Sequence, residues 1–221
     1  MILLEIAFPI LPSMKVLKTL ALSLLALLAG CQQKVQEPLP DEQEPLYKLG
    51  DYYAKGLAKG IIVSLDEDGE HGLLLSMDEK SLQWSTLNSS IIWGATYVSM
   101  DDGAVNAEGV KGLYENWPEE FPAIAWCSSK NLGALNSWYL PAASEIRLIL
   151  DLVGSQSAIN EALVSNGGAP VSPEELYWSS TDAGAQIAYS YRYRADLKPE
   201  DELYDMSPKK NSLHCRCVRR F

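Results

Sequence analysis

Four cysteines and two histidines are the scarcest reactive side chains in this 221-residue sequence, and their spacing narrows the chemistry open to them. Cys215 and Cys217 stand two apart in an alternating segment, "LHCRCVRRF". On a strand their side chains point the same way, roughly 6–7 Å apart, too far and too parallel to bond each other. Cys127, on a segment read as a helix, could reach either of them. A three-cysteine zinc site would want C-x-x-C pairs, which this spacing lacks. Ser179, Ser180 and Thr181 offer hydroxyls, but His71 and His214 are both remote in sequence, so these three read as groups that satisfy backbone in a bent strand. "DEDGEHG", residues 66–72, places Asp66, Asp68 and Glu70 around a glycine, yet no glutamate follows where a calcium loop needs a bidentate ligand. It reads as an acidic hairpin turn, and no metal or cofactor is expected.

Cys31 has a different setting. Lys15 and Lys18 precede an apolar run from Leu20 to Leu28, then Ala29, Gly30 and Cys31. The run is far shorter than the ~20 residues that cross a bilayer, and its order matches a signal peptide. "LAGC" resembles the lipobox of bacterial lipoproteins, which implies cleavage before Cys31, acylation of that cysteine and export. Glu5 and two prolines sit where a basic start belongs, whereas "MKVLKTL" has the right order, so translation is expected to begin at Met14. Gln32 is not an aspartate, which by resemblance to known sorting signals points to the outer membrane.

Residues 1–30 therefore read as leader and 31–45 as a lipidated cysteine with a tether. "QQKVQEPLPDEQEP" has too little apolar surface to offset its ordering entropy. Residues 46–221 then form one domain. The formal charge of −11 disfavours binding to nucleic acid or other polyanions. Arg216, Arg219 and Arg220, alternating with apolar residues, read as an edge strand.

The elements that must position these groups follow from hydrophobic period. "GIIVSLDEDGEHGLLLSM" predicts a hairpin. "FPAIAWCSSKNL" and "SEIRLILDLV" space apolar residues along one helical face, and "SQSAINEALVSNGG" predicts a third helix stopped by Gly167 and Gly168. "LYWSST", "QIAYSYRYR" and the C-terminal segment read as strands. In "IAYSYRYR", Tyr189, Tyr191 and Tyr193 share one face, expected inward, while Ser190, Arg192 and Arg194 share the other, expected outward. The class is α+β: an antiparallel sheet, two or three helices, long irregular loops, and first and last strands adjacent. Before the second helix Pro141 fixes φ, and Glu145 can reach back to an orphan N–H in the manner of a capping box. Ala142 stands where a capping hydroxyl would serve, so Ser144 could start the helix instead. Trp138, Leu140 and Trp178 read as core.

"SWYLPAASEIRLIL", "YWSST" with the strand after it, and "CRCVRRF" together resemble three ordered blocks of C-type-lectin-like domains in bacterial surface proteins, including the C-terminal domains of collagen-like adhesins. The resemblance favours a Cys127–Cys217 disulfide, leaving Cys215 a buried thiol. The sugar-site tripeptides that bind calcium in animal C-type lectins are missing from the domain. "DDGAVNAEG", residues 101–109, resembles a D-G-x-x-N loop of the bacterial relatives.

No acid–base pair or nucleophile constellation stands out, so the reading is a non-catalytic binding or adhesion module on an anchored stalk, with glycans among its candidate ligands. The alternative is a structural or accessory lipoprotein that binds another envelope protein. A ligand site is expected in the segment from Trp84 to Trp117, read as a long loop, with Asn88, Trp93, Tyr97, Asp101, Asp102, Asn106, Tyr114, Asn116 and Trp117 as the groups suited to sugars.

Overall fold

Two apolar runs joined by an acidic turn fold as the sequence predicts: β2 (Ala58–Leu65) pairs antiparallel with β3 (Gly72–Ser76), with a bulge between Ile62 and Ser64. In the turn the Asp68 carboxylate accepts from the N–H groups of Glu70 and His71, at 2.8 and 3.0 Å, and meets His71 Nδ1 at 2.6 Å. The His71 contact is the largest of several that hold its pKa down to about 2. The Asp68 carboxylate therefore organises the backbone of this loop. Among the described residues, no group of three or more His, Cys, Asp or Glu is placed to hold a metal ion.

The computed structural model describes residues 46–56, 58–88, 98–131, 138–198, 201 and 203–221. The expectations for Cys31, the leader and the tether concern residues outside that set, as do Trp93, Tyr97 and Leu132. Pro45–Phe221 form one unit. Besides β2 and β3 it contains β1 (Tyr52–Lys55), β4 (Lys80–Gln83), α1 (Gly103–Leu113), α2 (Trp117–Glu120), α3 (Pro122–Ser128), β5 (Trp138–Tyr139), α4 (Ala143–Ser155), α5 (Ala158–Ser165), β6 (Tyr177–Asp182), β7 (Ile187–Tyr191), β8 (Asp205–Pro208), β9 (Ser212–Cys215) and β10 (Val218–Arg220). Among the described residues none of the helices is long and apolar enough to cross a membrane.

The class is α+β, but the expectation of one antiparallel sheet with two or three helices needs correcting. There are two five-stranded sheets, ordered β1-β2-β3-β10-β5 and β4-β9-β6-β7-β8, and five helices among the described residues. In the second sheet β6 and β9 run parallel. The first and last strands share a sheet without being neighbours, because β2 and β3 lie between them. The chain ends still meet through side chains: the Phe221 ring packs on Tyr47 and Tyr53, centroids 5.7 and 4.7 Å apart.

β10 is not an edge strand. It pairs with β3 on one side and β5 on the other. The alternation of arginine with apolar residues misleads because Arg216, just before the strand, turns inward and is fully buried. β7 also departs from expectation. Ala188, Ser190 and Tyr191 are buried while Tyr189 and Tyr193 are half-buried, because both faces are covered. Tyr191 Oη donates to Asp151 of α4 at 2.7 Å, and Ser190 Oγ shares a 2.8 Å hydrogen bond with Ser207 Oγ. The strand ends at Tyr191, and Arg192 and Arg194 lie beyond it against Asp205.

Trp84, Trp178, Phe121, Ile61, Leu74, Leu75, Ile146 and Ile149 are fully buried in a shared core, with Trp138 and Leu140 beside them. A disulfide joins Cys127 on α3 to Cys217 before β10, 90 residues apart with Cα atoms 5.4 Å from each other. Cys215 is a buried free thiol whose pKa burial pushes far up.

Candidate functional site

The polar groups of this domain divide into those already committed to its architecture and those left for a ligand. The start of α4 belongs to the first kind. Pro141 leads into Ala142, and Glu145 Oε2 accepts from Ala142 N–H at 2.8 Å, the reach-back foreseen from the sequence. Ala142 is the cap residue and has no hydroxyl, so Ser144 does not start the helix. Thr181 of β6 supplies the missing oxygen, its Oγ1 accepting from Ala143 N–H at 3.0 Å. The same Glu145 oxygen takes Gly103 N–H at 3.1 Å. Gly103 sits so close to this turn that a Cβ there would stand 2.3 Å from Leu140 O. Glu145 Oε1 accepts from Tyr139 Oη at 2.8 Å and lies 3.5 Å from Arg220 Nη2. Burial pushes the Glu145 pKa up despite these donors.

A second committed hub surrounds Glu79. Tyr177 Oη donates to its carboxylate at 2.7 Å, Arg216 Nε at 2.9 Å, and His214 Nδ1 lies 2.7 Å away. Burial works against the charge, but these partners outweigh it and hold the carboxyl below its ordinary value. The rest of the Arg216 guanidinium donates to Ser76 O, Ala169 O and Pro170 O.

Of the expected ligand residues that the structure describes, Asp101, Asp102, Asn106 and Tyr114 are engaged within the fold. The D-G-x-x-N segment is the first half of α1 and not a loop. Asp102 caps that helix, accepting from Ala104 and Val105 N–H at 3.0 and 3.1 Å. Asn106 is fully buried: Nδ2 donates to Ser99 O and Ser180 Oγ, while Oδ1 accepts from Ser99 N–H. Asp101 accepts from Ser144 Oγ at 2.7 Å, and the Tyr114 ring packs edge-on against Phe121. Asn88 is exposed and accepts from Lys210 Nζ at 3.0 Å. Asn116 is exposed at the entry to α2. Ser179 Oγ and Thr181 Oγ1 donate to Tyr189 O and Ser99 O, which is the backbone-satisfying role read from the sequence.

Trp117 borders a cavity, a cleft of about 410 Å³ formed where α1, α2 and α3 meet, a size that suits a small ligand. Trp117 is half-buried and, with Pro118 and Ala125, supplies the apolar wall. Lys111 lies with its Nζ 5.6 Å from the Trp117 ring centroid and pairs with Glu108 at 2.8 Å, giving the rim a charge of each sign. Ser129 and Asn131 also line it but bond elsewhere, Ser129 to Trp126 O and Asn131 to both backbone groups of Trp138. Ser128 is different. Its Oγ is buried and has no hydrogen-bond partner among the described residues. A second cavity, beside Glu145 and Arg220, holds only about 200 Å³, below the usual range for ligand pockets, and its carboxylate is already saturated.

Ser128, Ala125 and Lys111 were not legible as site residues in the sequence. The one signal was Trp117 itself, an aromatic beside Asn116 and Pro118 in a region of low hydrophobic period.

No protein of curated function matches the chain. Among solved structures it resembles a fimbrial protein from Bacteroides ovatus ATCC 8483, with 20% identity and a TM-score of 0.54. That likeness covers 68% of this chain and 36% of the fimbrial one, so it extends over well under two thirds of the longer protein and bears on fold alone. The Lcl C-terminal domain model matches residues 76–219, from the end of β3 to the middle of β10. The chain belongs to the Lcl C-terminal domain family.

Proposed function

We propose that this protein is an outer-membrane lipoprotein, anchored through acylated Cys31, that presents a non-catalytic C-type-lectin-like module whose ligand site is the Trp117 cleft. A hydroxyl-rich ligand such as a glycan suits it: an aromatic ring for the apolar face of a sugar and a rim of both charges. The observation that carries the reading is the Trp117 ring, half-buried on the wall of the cleft with Lys111 Nζ 5.6 Å from its centroid. The disulfide supports the export half of the reading, because such bonds persist outside the reducing cytoplasm.

Metabolic labelling with a fatty acid tests the anchor: label on wild type and none on C31A is expected, and equal labelling of both would reject it. A glycan array probed with the full chain tests the site. Binding by wild type and its loss in W117A is the expected result. An array without binders, together with a stoichiometric envelope protein that co-purifies with the chain, would instead favour the accessory-lipoprotein role.

A further inference from the structure

Lys209 and Asp182 form an ion pair almost wholly removed from water, with side chains 1% and 3% exposed. The lysine nitrogen stands 2.9 Å from each carboxylate oxygen. Neither partner can easily move away. Lys209 sits in the turn between β8 and β9, where its N–H donates to Gln186 O and its carbonyl accepts from Trp84 N–H. Asp182 ends β6, and its Oδ1 accepts from Gly184 N–H at 2.8 Å. The Trp84 ring, itself fully buried, lies 4.4 Å from the lysine nitrogen and closes the site on that side.

We propose that Lys209 and Asp182 condense to an amide, an isopeptide cross-link that ties the end of β6 to the β8–β9 turn. The ammonium first passes a proton to Oδ2, leaving an amine and a carboxylic acid. The Nζ lone pair then attacks Cγ, and the charge that develops on Oδ1 falls where the Gly184 N–H already points, as in an oxyanion hole. The Oδ2 hydroxyl leaves with one amine proton as water. A C–N bond forms and a C–O bond breaks, nothing is oxidised or reduced, and no co-reactant is needed.

Two features favour the step over a permanent ion pair. Burial raises the Asp182 pKa and lowers that of Lys209, so both shifts run toward the neutral forms the reaction requires. The fold also holds nucleophile and electrophile in contact, which replaces a bimolecular encounter with an intramolecular one. The product removes two charges from a site where keeping them is costly.

Digestion of the full-length chain with trypsin, after reduction and denaturation, decides the matter by mass spectrometry. The expected product is a branched peptide joining the segment that contains Asp182 to the segment that contains Lys209, lighter than the two together by one water, with no cleavage after Lys209. D182N is expected to give the same branch by losing ammonia in place of water, and D182A to give linear peptides alone. If the wild-type chain yields only linear peptides, with normal cleavage after Lys209, the proposal is wrong, and that result needs no variant to fold.

Discussion

The two ends of the disulfide sit in opposite kinds of polar chemistry. Cys217 follows Arg216, whose guanidinium spends its donors on Glu79 and three carbonyls. Cys127 precedes Ser128, whose hydroxyl is buried and has no partner among the described residues. Saturated groups hold the domain together and have nothing left for a ligand. An unsaturated buried group is costly to the fold and adds nothing to hold it together. The contrast separates the structural half of the domain from the half that we propose binds.

The largest effect should come from breaking the saturated side. In E79Q the fully buried Arg216 loses its counter-charge, and stability measured by urea unfolding should fall by about 3–5 kcal/mol. The same carboxylate sets an acid limit. Its folded pKa lies below the unfolded one, so its contribution is complete above the ordinary glutamate value near 4.3 and is lost as pH falls through the folded value. Wild type should therefore lose stability over that acid window, and E79Q should lose less. Next comes the bridge itself: C127A/C217A opens a 90-residue loop and should cost about 4 kcal/mol in the chain-entropy account, read by the same unfolding curves. T181A removes the hydroxyl that substitutes for a cap on α4 and should cost about 1 kcal/mol. Smallest in stability is S128A. It deletes a hydroxyl that no described residue satisfies, so the melting temperature should hold or rise. A marked drop in melting temperature for S128A would erase the contrast.

How much of this was legible in the letters depends on whether an element is fixed locally or by distant partners. The β2–β3 hairpin, α4 and the Glu145 reach-back were readable because period, turn chemistry and capping act within a few residues. The backbone-satisfying hydroxyls of β6 followed from the lack of any nearby histidine. The place of β10 was not readable, since strand order is decided by pairing with β3 and β5, some 80 to 145 residues earlier. Arg216 read as part of an edge strand because all four of its acceptors, Ser76, Glu79, Ala169 and Pro170, are remote in sequence. Thr181 as a surrogate cap for Ala142 is equally non-local. For the site, composition picked out Trp117 but also Asn106 and Asp102, because a buried asparagine and a helix cap draw on the same residue types as a sugar site. Only the packing of α1, α2 and α3 tells them apart.

The central claim is that the Trp117 cleft serves binding and not the fold. Its most direct test is to measure affinity for the strongest glycan of the array and melting temperature side by side for wild type and W117A. The account predicts at least a tenfold loss of affinity, about 1.4 kcal/mol, with a melting shift no larger than the few degrees that about 1 kcal/mol produces in a domain of this size. Unchanged affinity, or affinity and melting temperature collapsing together, would contradict it.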